Sequence, residues 1–206
     1  DVVNHHAAQI SVQASVREPL KDARTNALGT LNLLECARRY GVQRFIYASS
    51  GGAIYGEPLY LPCDEEHPVQ PLSPYGASKY AGELNIPIYH RLYGLEYVVL
   101  RYANVYGPRQ DPHGEAGVVA IFTERMLQRQ EAIIYGSGEQ ERDFIYVGDV
   151  VEANVAALDE RRRPLRGGLR RSLRLLGRRR TGPGGHGLLP SDGVLDRAAG
   201  PGARKG

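Results

Sequence analysis

The sequence predicts a doubly wound, parallel α/β sheet. Two observations carry that prediction: short, continuously apolar strands alternate with longer helical patterns, and the unusual polar residues gather in the turns that follow strands. Residues 1–8 read as the end of a buried strand running into a loop. From Pro19 to Tyr40, the apolar residues Leu20, Ala23, Ala27, Leu31, Leu34 and Ala37 recur at helical spacing. Pro19 suits a first turn and Gly41 a stop, so one long helix is expected there. Residues 44–50 form a short apolar strand ending in two hydroxyl side chains, and a Gly- and Pro-rich loop follows over 51–71. Ser73 and Pro74 read as the N-cap and first residue of a helix that runs to Tyr93-Gly94, with a kink expected at Pro87. Beyond it, 96–102 reads as a strand, 118–128 as a helix, 132–135 and 143–147 as strands, and 149–158 as a helix. Ligands bind at the carboxyl ends of strands in such sheets, which singles out the turns after Asn4, Ala48 and Tyr102.

Composition divides the chain in two. All thirteen Tyr and all three Phe precede residue 161, so residues 161–206 have no aromatic side chain to anchor a core. Residues 1–160 hold thirteen basic against twenty-one acidic side chains, a net of −8, whereas 161–206 holds thirteen against two, a net of +11. The basic balance therefore belongs to a low-complexity Arg/Gly-rich tail. That tail is expected to be either disordered or the product of a coding frame shifted near residue 160. Its charge would attract nucleic acid, but without interleaved aromatics or a folded motif no nucleic-acid partner is expected. Cys36 and Cys63 have no pairing or metal-ligand spacing, which suits a reducing cytoplasm. No apolar run approaches the roughly 18 residues of a membrane span, and the chain does not open with a signal peptide. A cytoplasmic protein without a membrane partner is the expectation.

Chemistry concentrates around Tyr75 and Lys79, which stand four apart on a predicted helix and share one face. A free phenol titrates near 10, and a neighbouring ammonium favours the phenolate, which makes Tyr75 a candidate proton acceptor. The same pair could be an ordinary helix-surface pair. Its setting raises its weight: a Ser-Pro helix start, about 25 residues after a strand ending in Ser49-Ser50, whose hydroxyl could reach the same reacting oxygen. No metal centre is expected. His5 and His6 are adjacent on an extended segment and point to opposite sides, and His67, His90 and His113 have no spacing partner. Gly136-Ser137-Gly138 follows a strand pattern but leads to Glu139-Gln140-Glu141 and not to a helix, so it is no dinucleotide fingerprint.

Four stretches, in order and in spacing, resemble the NAD-dependent epimerase/dehydratase family of the extended short-chain dehydrogenase/reductase type: Phe45 to Gly56, Ser73 to Lys79, Leu100 to Pro108 and Arg142 to Val147. The resemblance covers about residues 1–160 and implies a Rossmann-like fold that binds NAD. It implies a sugar-nucleotide 4-epimerase of the kind that interconverts UDP-glucose and UDP-galactose, with Tyr75 and Lys79 as the catalytic pair. In that reaction Tyr75 takes the C4 hydroxyl proton while the C4 hydride passes to NAD, and a 4-keto sugar is reduced again on its other face. Ala7, Ala8 and Gln9, with Asn26, Ser49, Lys79 and Tyr75, would line the NAD site. Tyr102 and Ala103 would lie near the nicotinamide, Asn104 near the substrate phosphates, and Arg142 on the diphosphate, a contact that suits a guanidinium. The full-length form would pair as a homodimer through the helices near 19–39 and 75–93.

Two departures qualify the resemblance. Counted back from Tyr55-Gly56, the position of the usual catalytic hydroxyl is Gly51, so the role passes to the nearest one, Ser50, which also belongs to the substrate-facing set. Ser49 and Ser50 could alternatively satisfy backbone groups at the strand end. The segment Gly51-Gly52-Ala53 supplies no carboxylate beside that hydroxyl, which favours epimerisation over elimination of water or carbon dioxide. The glycine-rich phosphate turn of such folds is found nowhere in the sequence, and the resemblance places it before Asp1, so this chain alone is expected to bind NAD poorly. Other readings are an NAD-dependent epimerase or 4-reductase for a different nucleotide sugar, or a non-catalytic binding fragment of the same fold.

Overall fold

Strand β1 (Val2–His5), strand β2 (Arg44–Ser50) and strand β3 (Glu96–Tyr102) make a parallel sheet in the order β1-β2-β3. The computed structural model describes residues 1–113, 117–134 and 142–159. β1 and β2 each feed a helical crossover to the next strand of this sheet, as parallel pairing requires. Helix α1 (Val12–Arg17), helix α2 (Pro19–Ala23), a π-helical turn (Arg24–Leu28) and helix α3 (Gly29–Arg39) join β1 to β2, and helix α4 (Pro74–Tyr93) joins β2 to β3. Strand β4 (Asn104–Tyr106) pairs in parallel with strand β5 (Phe144–Tyr146), with helix α5 (Val118–Leu127) between them in sequence and helix α6 (Val147–Asp159) after β5.

The two-residue period of the strands sorts the core into two layers. Phe45 and Tyr47 of β2 and Val99 of β3 pack with Leu34 and Ala37 of α3 and Ile86 and Tyr89 of α4. The alternate residues Ile46, Val98 and Leu100 pack with Ala153 and Ala157 of α6 on the opposite face. Helices thus cover both sides, which is the doubly wound arrangement expected from the alternation of elements.

The catalytic-candidate helix α4 begins where its sequence says. Ser73 Oγ accepts from the Gly76 amide at 3.1 Å, Pro74 occupies the first turn, and Gly94 (φ 71°) closes the helix with its amide on the His90 carbonyl at 2.9 Å. The helix continues through Pro87 without a change of assignment. Glycine lets it approach β2: a Cβ at Gly82 would stand 2.5 Å from the Tyr47 hydroxyl, and one at Gly76 would collide with the Ala53 carbonyl oxygen. At the far end of the sheet, Arg44 donates to the Ala157 carbonyl of α6 at 2.9 Å and pairs with Glu96 at 2.6 Å, a cation set at a helix C-terminus.

Several elements differ from the sequence reading. The single helix expected after Pro19 contains a widened π turn, and the separate α1 precedes it, capped by Ser11. Apolar periodicity cannot distinguish an i→i+5 turn from its neighbours, and six residues are too few to carry a periodic signal. Asn104–Tyr106 forms a strand where a turn was expected, and Ala132, Ile133 and Ile134 form no strand. Tyr135, the Gly136-Ser137-Gly138 segment and the tail 161–206 lie outside the described residues.

Candidate active site

Helix α4 lies against the carboxyl end of β2, so the side chains at 75, 79 and 83, one helical turn apart in succession, meet the strand end along one stripe. Tyr75 comes first. It lines a cleft of about 430 Å³ together with Ser50, the last residue of β2. Burial raises the phenol above its ordinary value of 10.0, the Ser50 hydroxyl opposes that, and the charge of Asp22 adds to it. The ammonium expected to favour the phenolate is turned elsewhere. Lys79, 5% exposed, donates from Nζ to the Ala48 carbonyl at 3.0 Å and lies over the Tyr47 ring at 5.3 Å. Burial lowers the Lys79 amine to about 8, against the pull of Asp22 in the other direction. In the protein by itself the phenol is therefore held protonated, and an added positive charge in the cleft is needed to bring it down.

The third position of the stripe, Glu83, forms a buried ion pair with Arg101 of β3 at 2.6 Å; their side chains are 7% and 3% exposed. Ser49 donates to Glu83 at 2.5 Å, and Arg101 donates to the Tyr55 hydroxyl at 2.7 Å. Strand parity explains the gathering. Ser49 and Arg101 continue the rows of Phe45 and Tyr47 and of Tyr97 and Val99, all on the α4 face. Consecutive hydroxyls thus face different partners: Ser49 holds the helix, and Ser50 meets the phenol.

A second polar cluster fixes the turn after β1. Asn26, brought inward by the π turn and 2% exposed, accepts from the Gln9 amide at 2.8 Å and donates to the Gln9 carbonyl at 2.9 Å and to Asp22 at 3.0 Å. Asp22 also accepts from Gln9 Nε2 at 2.8 Å and from Ser78 Oγ at 2.5 Å. Such widened turns often mark functional sites. His5, at the end of β1, bonds Thr30 at 3.1 Å, and burial first, then the charges of Lys79 and His6, lower its imidazole to about 4.

The structure divides the sequence-predicted residues into three groups. Ser50, Tyr75, Tyr102, Ala103, Asn104 and Arg142 line the cleft. Ala7, Ala8 and Gln9 form the turn leaving β1. Lys79, Asn26 and Ser49 are buried behind these, and the side chains of Asn26 and Ser49 are committed to protein partners. Asn104 Nδ2 donates to the Asp143 carbonyl at 2.9 Å. Sequence reasoning gave no role to Asp22, Glu83, Arg101 or Asn154. The spacings of Glu83, four after Lys79, and of Asp22, four before Asn26, could have marked two of them; Arg101 and Asn154 act through strand order. Pro58, Leu61, Cys63 and Glu65 of the 51–71 loop also line the cleft, without any periodicity to announce them.

With this geometry in hand, comparison with known proteins gives a consistent result. The model of the NAD dependent epimerase/dehydratase family matches residues 1–168. A UDP-glucose 4-epimerase of Mycolicibacterium smegmatis is 51% identical over 157 residues, which are 76% of this chain and 50% of that protein. The crystal structure of UDP-glucose 4-epimerase with UDP-glucose from Thermotoga maritima superposes with a TM-score of 0.75 at 58% identity, covering 77% of this chain and 52% of that one. The Thermus thermophilus UDP-glucose 4-epimerase in complex with NAD superposes with a TM-score of 0.70 at 52% identity, covering 77% and 53%. The chain spans about half the length of the relatives it matches.

Proposed function

The chain belongs to the NAD dependent epimerase/dehydratase family, and we propose that the protein inverts the C4 hydroxyl of a UDP-sugar of the glucose/galactose kind, with NAD as its redox cofactor. The observation that carries this reading is that Ser50 and Tyr75 line one cleft at the end of β2, with Lys79 buried one helical turn behind Tyr75.

The residues present fit the nicotinamide end of such a cofactor. The small side chains of Ala7 and Ala8 and the Gln9 backbone, fixed by Asn26, leave the turn after β1 open to a flat ring. On the other side of β2, Tyr102 and Ala103 line the cleft and would face the ring. Bound NAD would supply a reversible hydride acceptor for the sugar C4. Tyr75 Oη takes the C4 hydroxyl proton as the C4–O bond becomes a carbonyl, and returns it when the carbonyl is reduced. Ser50, on the same cleft, would hold the same oxygen. Lys79, bonded to the Ala48 carbonyl, stands one helical turn behind the phenol. Asn104 and Arg142, on the cleft's far wall, are assigned to the diphosphate, where a guanidinium offers two parallel donors. The lack of a carboxylate in Gly51-Gly52-Ala53 supports epimerisation, which needs one proton acceptor, over an elimination that needs a second acid or base.

Dimerisation belongs to the same reading. Leu84, Ile88 and Leu92 of α4 are 49%, 48% and 65% exposed and recur at helical spacing, as a bundle with a second copy requires. No helix among the described residues is long and apolar enough to cross a membrane.

The test is interconversion of UDP-galactose and UDP-glucose with NAD supplied. Tyr75→Phe is expected to lose turnover by about 10²–10⁴-fold while remaining folded. A variant as active as its parent overturns the role of Tyr75, and a folded parent that binds NAD yet converts neither sugar overturns the reaction.

A further inference from the structure

Asn154, on α6, bonds at every polar position that a carboxamide offers. Its Oδ1 accepts from Asn4 Nδ2 at 3.0 Å and from His6 Nε2 at 3.0 Å. Its Nδ2 donates to the Tyr102 hydroxyl at 2.7 Å and to the Val150 carbonyl at 2.7 Å. A carboxamide has two donor hydrogens and two acceptor lone pairs, so none is left over. The partners lie on both sides of the central strand. Asn4 and His6 belong to the end of β1 and the turn it enters, Tyr102 ends β3, and β2 stands between them. The His6 and Tyr102 rings also pack on each other, with centroids 5.9 Å apart.

The network fixes hydrogen positions. The Val150 carbonyl can only accept, so the nitrogen of Asn154 must face it, and the oxygen is left for Asn4 and His6. His6 Nε2 must then carry the hydrogen. Tyr102 accepts from Asn154, which frees its own hydroxyl hydrogen for another partner.

We propose that Asn154 is a positioning residue: one carboxamide on α6 sets the separation between the turn leaving β1 and the end of β3, and so the width of the slot that receives the dinucleotide's nicotinamide ring. This rests on the reading above that Ala7, Ala8, Tyr102 and Ala103 face that ring. Asn154 itself touches neither ring nor sugar.

The test uses two variants and a readout independent of turnover. By nitrogen-15 NMR, His6 in the parent is expected to be the Nε2–H tautomer. Asn154→Ala is expected to shift it toward a mixture, and Asn154→Asp, which keeps both acceptor contacts and loses the donors to Tyr102 and Val150, to retain it. In titrations with NAD, Asn154→Ala is expected to weaken binding about tenfold, the effect of losing a few hydrogen bonds. Asn154→Asp is expected to fall between parent and Asn154→Ala, with KM for UDP-galactose unchanged in both. An unchanged His6 tautomer in Asn154→Ala overturns the clamp, and a changed tautomer with unaltered NAD affinity overturns its positioning role. A parent that binds no NAD counts against the cofactor reading, and the tautomer then decides the clamp alone.

Discussion

The middle and the end of β2 face the same helix and differ completely in chemistry. Phe45 and Tyr47 meet Leu34, Ile86 and Tyr89 in an apolar layer. One residue pair further along, Ser49 meets the Glu83–Arg101 ion pair, with Lys79 buried beside them. The apolar layer stabilises the fold by area removed from water. The polar end gains little net stability, because desolvating paired charges offsets most of their attraction. What it gains is geometry: three side chains of one helical stripe, each held against the strand end.

The largest effect should come from splitting the ion pair. Glu83→Ala leaves Arg101 buried without its carboxylate and is expected to cost about 3–5 kcal/mol in chemical denaturation, whereas replacing both members with apolar residues of similar volume should recover most of it. A loss below about 1 kcal/mol would mean that the pair is solvated. In the apolar layer, Leu34→Ala is expected to cost about 2–5 kcal/mol through lost burial and a cavity. Its effect on turnover, unlike that of Glu83→Ala, should follow the folded fraction alone.

A smaller, signed effect follows from Lys79. Its folded value of about 8 lies below the ordinary value of 10.5, so between the two the unfolded chain holds more protons and stability rises with pH. Lys79→Met should remove that rise, and denaturation of parent and variant at pH 7.5 and 9.5 measures it. A rise that persists in the variant assigns it to another group. His5 gives the smallest signal. Its folded value of about 4 lies below 6.5, so the stability it contributes is lost as pH falls from 6.5 toward 4. In His5→Gln the acid-side loss over that window should be shallower.

The apolar layer was the legible half. Alternation and helical spacing gave β2, β3, α4, α5 and α6 to within a residue or two of their ends, because burial imposes a period on sequence. The π turn, the short α1 and the three-residue β4 left no such period. At the polar end, Tyr75, Lys79 and Ser50 were legible through helix spacing and a strand terminus. Arg101 and Asn154 were not, because strand order brings them to partners 18 and 52 residues away in sequence. Asp22 was marked only by its place four before Asn26, and its bond to Ser78, 56 residues away, comes from helix packing. The side chains of Asn26 and Ser49 hold the Gln9 backbone and Glu83.

The proposed proton acceptor itself can be watched. Ultraviolet difference titration of the protein, with Tyr75→Phe subtracted, isolates the Tyr75 phenol with and without oxidised NAD. Above 10.0 in the protein alone, the phenol should fall toward neutrality when the cofactor's positive charge enters the cleft. A phenol that titrates at the same pH in both states would contradict Tyr75 as the group that moves the sugar's proton.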